Sequence, residues 1–256
     1  MSGRPDKINK PIWIEHTATD LDGAKSFYTS LFGWETQELG PEAGNYAFFN
    51  LNGQMVGGVG PPQGGPEQPA AWMPYLGTED VDATLEAVKQ NGGDIVVGGM
   101  DVLDTGRFGV FRDPGGAVLG LWQPITMSGF RVENQPGAFG WFELNTPDLE
   151  AAKRFYGAVF GWTTKESEGP PPYTEWQVDG QSIGGALQIG EQMSPDTPPF
   201  WMTYFVSEDV DRTASRATEL GGKVMTGPMD YPGGRFVIIQ DPQGGVPFGV
   251  IAIPQQ

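Results

Sequence analysis

Residues 17–34 read TATDLDGAKSFYTSLFGW, and residues 145–162 read NTPDLEAAKRFYGAVFGW. The two stretches share an aspartate, a lysine, a Phe-Tyr pair and a final Phe-Gly-Trp at a constant offset of 128 residues. Further pairs repeat at an offset of 128 or 129 residues: Trp72 with Trp201, Asp80 with Asp209, Gly92 with Gly221, Arg107 with Arg235, and Asp113 with Asp241. So long a repeat indicates a duplicated domain, because the repeats of solenoid proteins are far shorter.

The composition restricts the classes of protein to which the chain can belong. Its 256 residues suffice for two domains, and the absence of cysteine excludes disulfides and thiolate metal sites. The formal net charge of −17 repels the phosphates of nucleic acids. No apolar run approaches the length of a membrane span, and the first seven residues lack the apolar segment of a signal peptide. We therefore expect a cytoplasmic protein that binds neither nucleic acid nor a membrane.

Each half of the sequence divides into two similar modules with one helix each. An apolar stripe on a 3.6-residue period, an aspartate N-cap and a following glycine mark the helices. The predicted helices cover 21–32, 81–91, 149–160 and 210–220. One strand candidate precedes each helix and further candidates follow it, which predicts four βαβββ modules. We place the first domain at 1–124, a linker at 125–137 and the second domain at 138–256.

The helix pattern D-L-x-x-A-K-x-F-Y, the following F-G-W and the later G-R-F and D-P-x-G resemble the vicinal oxygen chelate superfamily. This superfamily includes glyoxalase I, extradiol dioxygenases and bleomycin-resistance proteins. More narrowly, the chain resembles a two-domain actinobacterial glyoxalase-like branch. The resemblance implies an α+β fold with tandem duplicated glyoxalase-like domains, whose four βαβββ units form two open-barrel clefts. In metal-dependent members, four ligands lie on the strands that face the cleft.

The resemblance also identifies the residues that stand at those four ligand positions. In the first half they are Trp13, Gly57–Gly58, Met73 and Gly120, and in the second half Trp141, Gly184–Gly185, Met202 and Phe248. None is a histidine, glutamine or carboxylate, the side chains that hold iron, zinc, nickel or manganese. We therefore predict that neither half binds a metal ion and that the protein uses no cofactor.

Aromatic side chains remain as candidates for ligand binding. Large flat rings with a hydrogen-bonding edge suit a planar organic molecule. The candidate ligand-binding residues are Trp13, Trp72, Met73, Tyr75, Trp141, Trp201, Met202, Tyr204 and Phe248. Buried aromatic residues more often fill a core, so packing is the alternative role for each of these rings.

One carboxylate repeats in the same strand of both halves. Glu15 lies two residues after Trp13, and Glu143 two residues after Trp141, so each glutamate shares a strand face with its tryptophan. Each is a candidate acid/base residue, and a hydrogen-bonded or salt-bridged structural role, with Arg107 or Arg235 as partner, is the alternative. The single histidine, His16, has Leu144 as its counterpart, so packing is the favoured role for it.

Two functions from different classes follow. The first is a metal-free binding protein that sequesters an aromatic or polycyclic metabolite or antibiotic. The second is a metal-independent enzyme, of hydroxylase, lyase or isomerase type, that acts on a secondary metabolite with Glu15 or Glu143 as the acid/base. The partner expected in both cases is a small aromatic molecule, and the protein is expected to be a monomer or a homodimer.

Overall fold

The computed structural model describes residues 7–62, 68–167, 172–190, 193–194 and 196–252. The expectation drawn from the first seven residues therefore lies almost entirely outside the described residues. The elements of the first half are β1 (Pro11–Thr17), α1 (Leu21–Phe32), β2 (Glu35–Glu38), β3 (Ala47–Leu51), β4 (Gln54–Gly60), β5 (Ala71–Gly77), α2 (Val81–Gln90), β6 (Asp94–Val102), β7 (Gly106–Arg112) and β8 (Val118–Pro124). Residues Pro41–Ala43 form a short 3-10 helix.

The second half repeats the same order of elements. They are β9 (Phe139–Thr146), α3 (Leu149–Phe160), β10 (Thr163–Ser167), β11 (Tyr173–Val178), β12 (Gln181–Gln188), β13 (Phe200–Val206), α4 (Val210–Glu219), β14 (Lys223–Tyr231), β15 (Gly234–Gln240) and β16 (Phe248–Ala252). The predicted α+β class with four βαβββ modules is confirmed. In the described part of the chain, no helix has the length and apolar character needed to cross a membrane.

Each half forms one eight-stranded mixed sheet. The strand order is β2-β3-β4-β1-β5-β8-β7-β6 in the first half and β10-β11-β12-β9-β13-β16-β15-β14 in the second. The first strand of each module pairs in parallel with the last strand of the same module, as β1 does with β4 and β13 with β16. The other pairs within a module, such as β3 with β4, are antiparallel.

The helices begin and end at the residues that the sequence marks. Asp20 caps α1 by accepting a hydrogen bond from the Gly23 amide at 3.0 Å. Asp148 does the same for α3. Gly33 and Gly161 follow these helices with φ of 72° and 68°, in the left-handed region that favours glycine. The predicted helix ends agree with the structure to within one residue.

The described chain forms two compact units, each with modules from both halves. Unit 1 comprises Met1–Trp13, Pro74–Gly129 and Trp141–Trp201, and unit 2 comprises Ile14–Met73, Phe130–Gly140 and Met202–Gln256. Within unit 1, α2 packs against α3, and within unit 2, α1 packs against α4. The domain boundaries predicted at 124 and 138 delimit the two copies of the sequence repeat, and as domain limits they stay a prediction.

Aromatic rings pack together within the core of each unit, beside aliphatic side chains. In unit 2, Phe32 of α1 packs against Phe205 with ring centroids 4.9 Å apart, and the Trp34 indole donates to the Gly137 carbonyl at 2.6 Å. In unit 1, Phe142 stacks on Trp201 at 4.6 Å. Burying such rings is worth roughly 2–3 kcal/mol each, so these cores fix the helices on the sheets.

Candidate functional site

Side chains alternate between two faces of each central strand, one toward the helices and one away from them. On β1, His16 packs against Tyr28 of α1 with ring centroids 4.9 Å apart, so His16 and Ile14 lie on the helix face. Trp13 and Glu15 therefore lie on the opposite side, which we call the open face. On β9, Phe142 lies on the helix face against Trp201, and Trp141, Glu143 and Asn145 lie on the open face.

Three strands place one group of residues side by side on the open face of the first half. Glu15 of β1 and Phe48 of β3 both pair with Gly58 of β4, from opposite sides. A side chain at Gly58 would overlap the Tyr46 hydroxyl, so this hydroxyl occupies the space above the glycine. Glu15, Gly58 and Phe48, with Tyr46 above them, form what we call the first-half row. Every member lies in unit 2.

The second half builds the equivalent row in unit 1 with one change of chemistry. Glu143 of β9 and Glu175 of β11 both pair with Gly185 of β12, and a side chain at Gly185 would overlap the Tyr173 hydroxyl. Glutamate thus replaces phenylalanine at one end of this second-half row. We define the second-half row as Glu143, Gly185 and Glu175 with Tyr173 above them.

Trp141 is fixed beside the second-half row. Its indole N–H donates to the Tyr173 hydroxyl at 2.8 Å. The Trp141 side chain is half-buried, whereas its first-half counterpart Trp13 is buried. The second half therefore presents an oriented indole ring at the edge of its row.

The two glutamates of the second-half row have local partners. Glu143 is buried and accepts from the Asn145 side-chain amide at 3.4 Å, a long hydrogen bond. Glu175 accepts from the Ser182 hydroxyl at 2.5 Å and lies 3.7 Å from the Lys165 ammonium. Glu15, by contrast, is half-buried. The carboxylate is thus more accessible in the first half than at the matching position of the second half.

A second tyrosine-on-glycine contact occurs in each half. Tyr75 pairs with Gly120 and Tyr204 with Gly249, and a side chain at either glycine would overlap the tyrosine ring. The strand alternation puts Tyr75 and Tyr204 on the open face, together with Met73 and Met202.

The structure corrects one candidate residue, Phe248. The resemblance placed Phe248, which lies seven residues after Asp241, at the position that Gly120 holds seven residues after Asp113. The pairing of Tyr204 identifies Gly249 as the counterpart of Gly120 instead. The turn after Asp241 is one residue longer than the turn after Asp113, so the count fails there. Phe248 packs on the helix face, 5.5 Å from Tyr28 and 5.9 Å from Phe205 between ring centroids.

Trp72 and Trp201 also lie on the helix face. Trp72 packs 5.1 Å from Tyr28 and 5.1 Å from Phe205, and Trp201 donates its indole N–H to the Tyr156 hydroxyl at 3.0 Å. Both indoles are buried. Their surroundings give these two tryptophans the packing role, which leaves Trp13 and Trp141 as the tryptophans of the predicted set on the open face.

The turn aspartates anchor a buried polar network on each helix face. In unit 1, Asp113 accepts from the Tyr156 hydroxyl at 2.9 Å and from the Ala117 amide at 2.9 Å. Burial raises the pKa of Asp113, and these hydrogen bonds oppose that rise. Burial also raises the pKa of Tyr156, and the charge of Asp113 adds to the effect. The network fixes the Tyr156 side chain in the core on the helix face, which is opposite the open face that carries the second-half row.

His16 belongs to the corresponding network in unit 2. Its Nε2 lies 3.0 Å from Asp241, which also accepts from the Tyr28 hydroxyl at 2.9 Å. The ring is 1% exposed. These contacts support the packed role that the sequence favoured for His16.

The repeated arginines bind surface aspartates. Arg107 donates to Asp82 at 3.0 Å and to Asp101 at 2.7 Å. Arg235 repeats this arrangement with Asp211 and Asp230. These pairs tie a helix to the following hairpin, which is the structural role for the two arginines.

A hollow of about 280 Å³ lies in unit 2 beside the first turn of α1. Asp20, Asp241, Phe27, Leu220 and Gln243 are among the residues that line it. Asp20 is occupied as the helix cap and Asp241 by Tyr28 and His16. The hollow therefore adjoins the packing network on the helix face of unit 2.

Sequence reasoning missed Tyr46 and Tyr173. Each precedes its Gly-Gly pair by the same distance, from Tyr46 to Gly58 and from Tyr173 to Gly185. The sequence therefore shows that this tyrosine and this glycine repeat together at a fixed spacing. The contact itself depends on the register of β3 with β4 and of β11 with β12, which no local pattern specifies.

The family model described as "Glyoxalase/Bleomycin resistance protein/Dioxygenase superfamily" matches residues 11–121 and again residues 138–248. The chain belongs to this superfamily. Its four βαβββ modules are thus two tandem glyoxalase-type domains that form two open cups. The superfamily resemblance seen in the sequence is confirmed.

Curated relatives of this glyoxalase-superfamily chain match it along nearly the whole length. CFP32 of Mycobacterium tuberculosis (strain CDC 1551 / Oshkosh) is 37% identical over 254 residues, with 96% of both chains covered. The "Anthracycline biosynthesis protein DauV" of Streptomyces sp. (strain C5) is 35% identical over 250 residues, with 91% of this chain and 90% of DauV covered. The corresponding DnrV of Streptomyces peucetius is 34% identical.

Solved structures share the superfamily fold at low identity. The Mn(II)-bound glyoxalase from Novosphingobium aromaticivorans has a TM-score of 0.67 at 17% identity, with 96% of this chain and 82% of that chain covered. The 2,3-dioxygenase LapB from Pseudomonas sp. KL28 has a TM-score of 0.66 at 13% identity, with 97% and 93% covered. These likenesses establish the fold.

At the positions that correspond to metal ligands, the described side chains do not fit a metal centre. Among the residues that the structure describes, no three His, Asp or Glu side chains come together in a way that could hold a metal ion. The positions that correspond to metal ligands carry indole or thioether groups or glycine, which do not bind hard divalent cations, while Glu15 and Glu143 are carboxylates elsewhere on the open face.

Proposed function

We propose that the protein binds a planar polycyclic aromatic molecule, without a metal ion, on the open face of its second-half row. One observation carries this proposal: Trp141 is half-buried and its indole is held in one orientation by the Tyr173 hydroxyl. A pre-oriented ring loses little conformational entropy when it binds, so most of the stacking energy is available for affinity.

The groups around Trp141 suit a ligand that is flat and hydroxylated. The Tyr173 hydroxyl accepts the Trp141 N–H, and its own O–H is a hydrogen-bond donor. Glu143 and Asn145 lie along the same strand face and supply acceptor oxygens. An aromatic wall with a few polar groups is the usual composition of a small-molecule site.

The relatives support the same ligand class. DauV and DnrV are named as anthracycline biosynthesis proteins, and anthracyclines are fused-ring hydroxylated quinones. The match to DauV covers 91% of this chain, and therefore includes most of both halves.

A pair of matched substitutions tests the assignment with dihydroxyanthraquinone as the probe. Trp141→Leu should weaken binding by roughly 5–150-fold, because stacking on an aromatic side chain is worth about 1–3 kcal/mol. Trp201→Leu removes the same indole from the helix face of the same unit, so it should lower the melting temperature and preserve affinity in the folded protein. Equilibrium dialysis measures the affinity. Unchanged binding by Trp141→Leu would refute the site.

One observation favours a second candidate, a metal-independent enzyme. The second-half row sets Glu143 and Glu175 on either side of the Tyr173 hydroxyl, with only a glycine between them. A carboxylate and a phenol on one face provide a proton acceptor and a proton donor for general acid–base catalysis. Conversion of a polycyclic ligand by the wild type that disappears in Glu143→Gln, with binding retained, would establish this function. Binding without conversion favours the sequestration protein.

A further inference from the structure

The first-half row has a different chemistry from the second-half row, and this difference identifies a second ligand class. We propose that Glu15, Phe48 and Tyr46 bind an organic ammonium group. The proposal concerns unit 2 and is independent of the ring-binding site at Trp141, which lies in unit 1.

The register of three strands brings these three side chains together on the open face. Glu15 and Phe48 both pair with Gly58, so they flank it on adjacent strands. Neighbouring strands lie about 4.8 Å apart, which puts the two Cα atoms roughly 10 Å from each other. Gly58 contributes no side chain, and the Tyr46 ring lies over Gly58 and Gly60. The Tyr46 phenol therefore fills the place above Gly58 between the carboxylate and the phenyl ring, and the ammonium group binds against the outer side of these three side chains.

The three side chains form a set that recognises cations. Phe48 and Tyr46 meet edge to face with ring centroids 5.7 Å apart and an interplanar angle of 82°, so the two rings are not parallel. Ring faces attract ammonium groups within about 6 Å, and a half-buried carboxylate adds an opposite charge. The net charge of −17 attracts cations to the protein over a longer range.

The second-half row lacks this set. Glu175 stands where the first half has Phe48, and its carboxylate is engaged by Ser182 and lies near Lys165. Leu187 takes the place of Gly60 along the strand. A cation site with two rings is therefore specific to the first half, although both halves retain the glutamate, the tyrosine and the glycine.

Choline and dimethylbutanol, in which carbon replaces the choline nitrogen, provide a matched pair of probes. Choline should bind the wild type at least tenfold more tightly than dimethylbutanol, and added salt should weaken choline binding. Glu15→Gln should weaken choline binding by roughly tenfold, and Phe48→Leu by roughly fivefold. Glu35→Gln, which makes the same charge change on exposed β2, is the control and should leave choline affinity unchanged. Titration calorimetry measures each affinity.

The outcomes are distinct from those at Trp141. Equal binding of choline and dimethylbutanol, or an unaltered choline affinity in both Glu15→Gln and Phe48→Leu, would overturn the ammonium site. An equal loss in Glu35→Gln would do the same, because it would assign the effect to net charge alone. Dihydroxyanthraquinone binding should be unchanged in Glu15→Gln, so failure of either proposal leaves the other measurable.

Discussion

Removing one hydroxyl group, in Tyr156→Phe, tests the buried network that holds α3 on its sheet. The hydroxyl donates to the Asp113 carboxylate at 2.9 Å and accepts from the Trp201 indole at 3.0 Å. Phenylalanine keeps the ring and loses both bonds. Asp113 then loses one donor, and the buried Trp201 N–H loses the Tyr156 hydroxyl as its acceptor.

The two losses add to a large destabilisation. A hydrogen bond to a charged group contributes about 1.5–3 kcal/mol, and a buried donor left without a partner costs about 1–3 kcal/mol. We expect the free energy of unfolding to fall by roughly 3–5 kcal/mol, which lowers the melting temperature by about 10 °C in a chain of this size. Tyr28→Phe is the matched control in unit 2, where Asp241 keeps His16 as a partner. Its expected loss is about 1.5–3 kcal/mol.

The destabilisation by Tyr156→Phe should depend on pH. Burial raises the pKa of Asp113 in the folded protein above its value in the unfolded chain. The contribution of this group to folding stability therefore falls as the pH rises through the interval between the unfolded and the folded pKa. The Tyr156 bond favours the ionised carboxylate, and its removal raises the pKa of Asp113 further. The deficit should therefore be smaller near pH 4 than near pH 8. Urea denaturation at both pH values measures it, and a deficit that equals that of Tyr28→Phe and is independent of pH refutes the reasoning.

Three further predictions concern folding. Residues 1–137 alone should show no cooperative urea transition, because α1 and α2 pack against α4 and α3; a cooperative transition would show that the first half folds independently. Gly185→Ala should cost about 1–3 kcal/mol through overlap with Tyr173, whereas Gly190→Ala should cost less than about 0.5 kcal/mol in the same urea assay. Asp209→Ala should cost about 1 kcal/mol as a lost N-cap, and an unchanged urea midpoint would contradict that role.

The repeat, the helices and the fold class were predictable because their signals are local. An aspartate cap such as Asp20 and a glycine such as Gly33 act within one turn of helix, and a periodic apolar stripe specifies the buried side. The alternation of β1 also correctly placed Trp13 and Glu15 on one face, because that argument needs only neighbouring residues.

The sequence did not predict correctly which candidate residues lie on the open face, because this depends on contacts between residues far apart in the chain. Trp72 and Trp201 occupy equivalent positions in the two halves. Trp72 lies on the helix face because it packs against Tyr28, and Trp201 lies there because it binds Tyr156, and each tyrosine is more than 40 residues away in the sequence. Phe248 was misplaced because one extra residue in a turn shifts every side chain of the next strand to the other face. The contact of Tyr173 with Gly185 appears only when the register of β11 and β12 is known.

A crystal structure of the protein with bound dihydroxyanthraquinone is the most direct test of the central claim, that the open face of the second half binds a planar ligand. We predict that the fused rings lie against the Trp141 indole, with a ligand oxygen within hydrogen-bond distance of the Tyr173 hydroxyl. Ligand density in the hollow beside Asp20 and Asp241, or anywhere without contact to Trp141, would contradict the account.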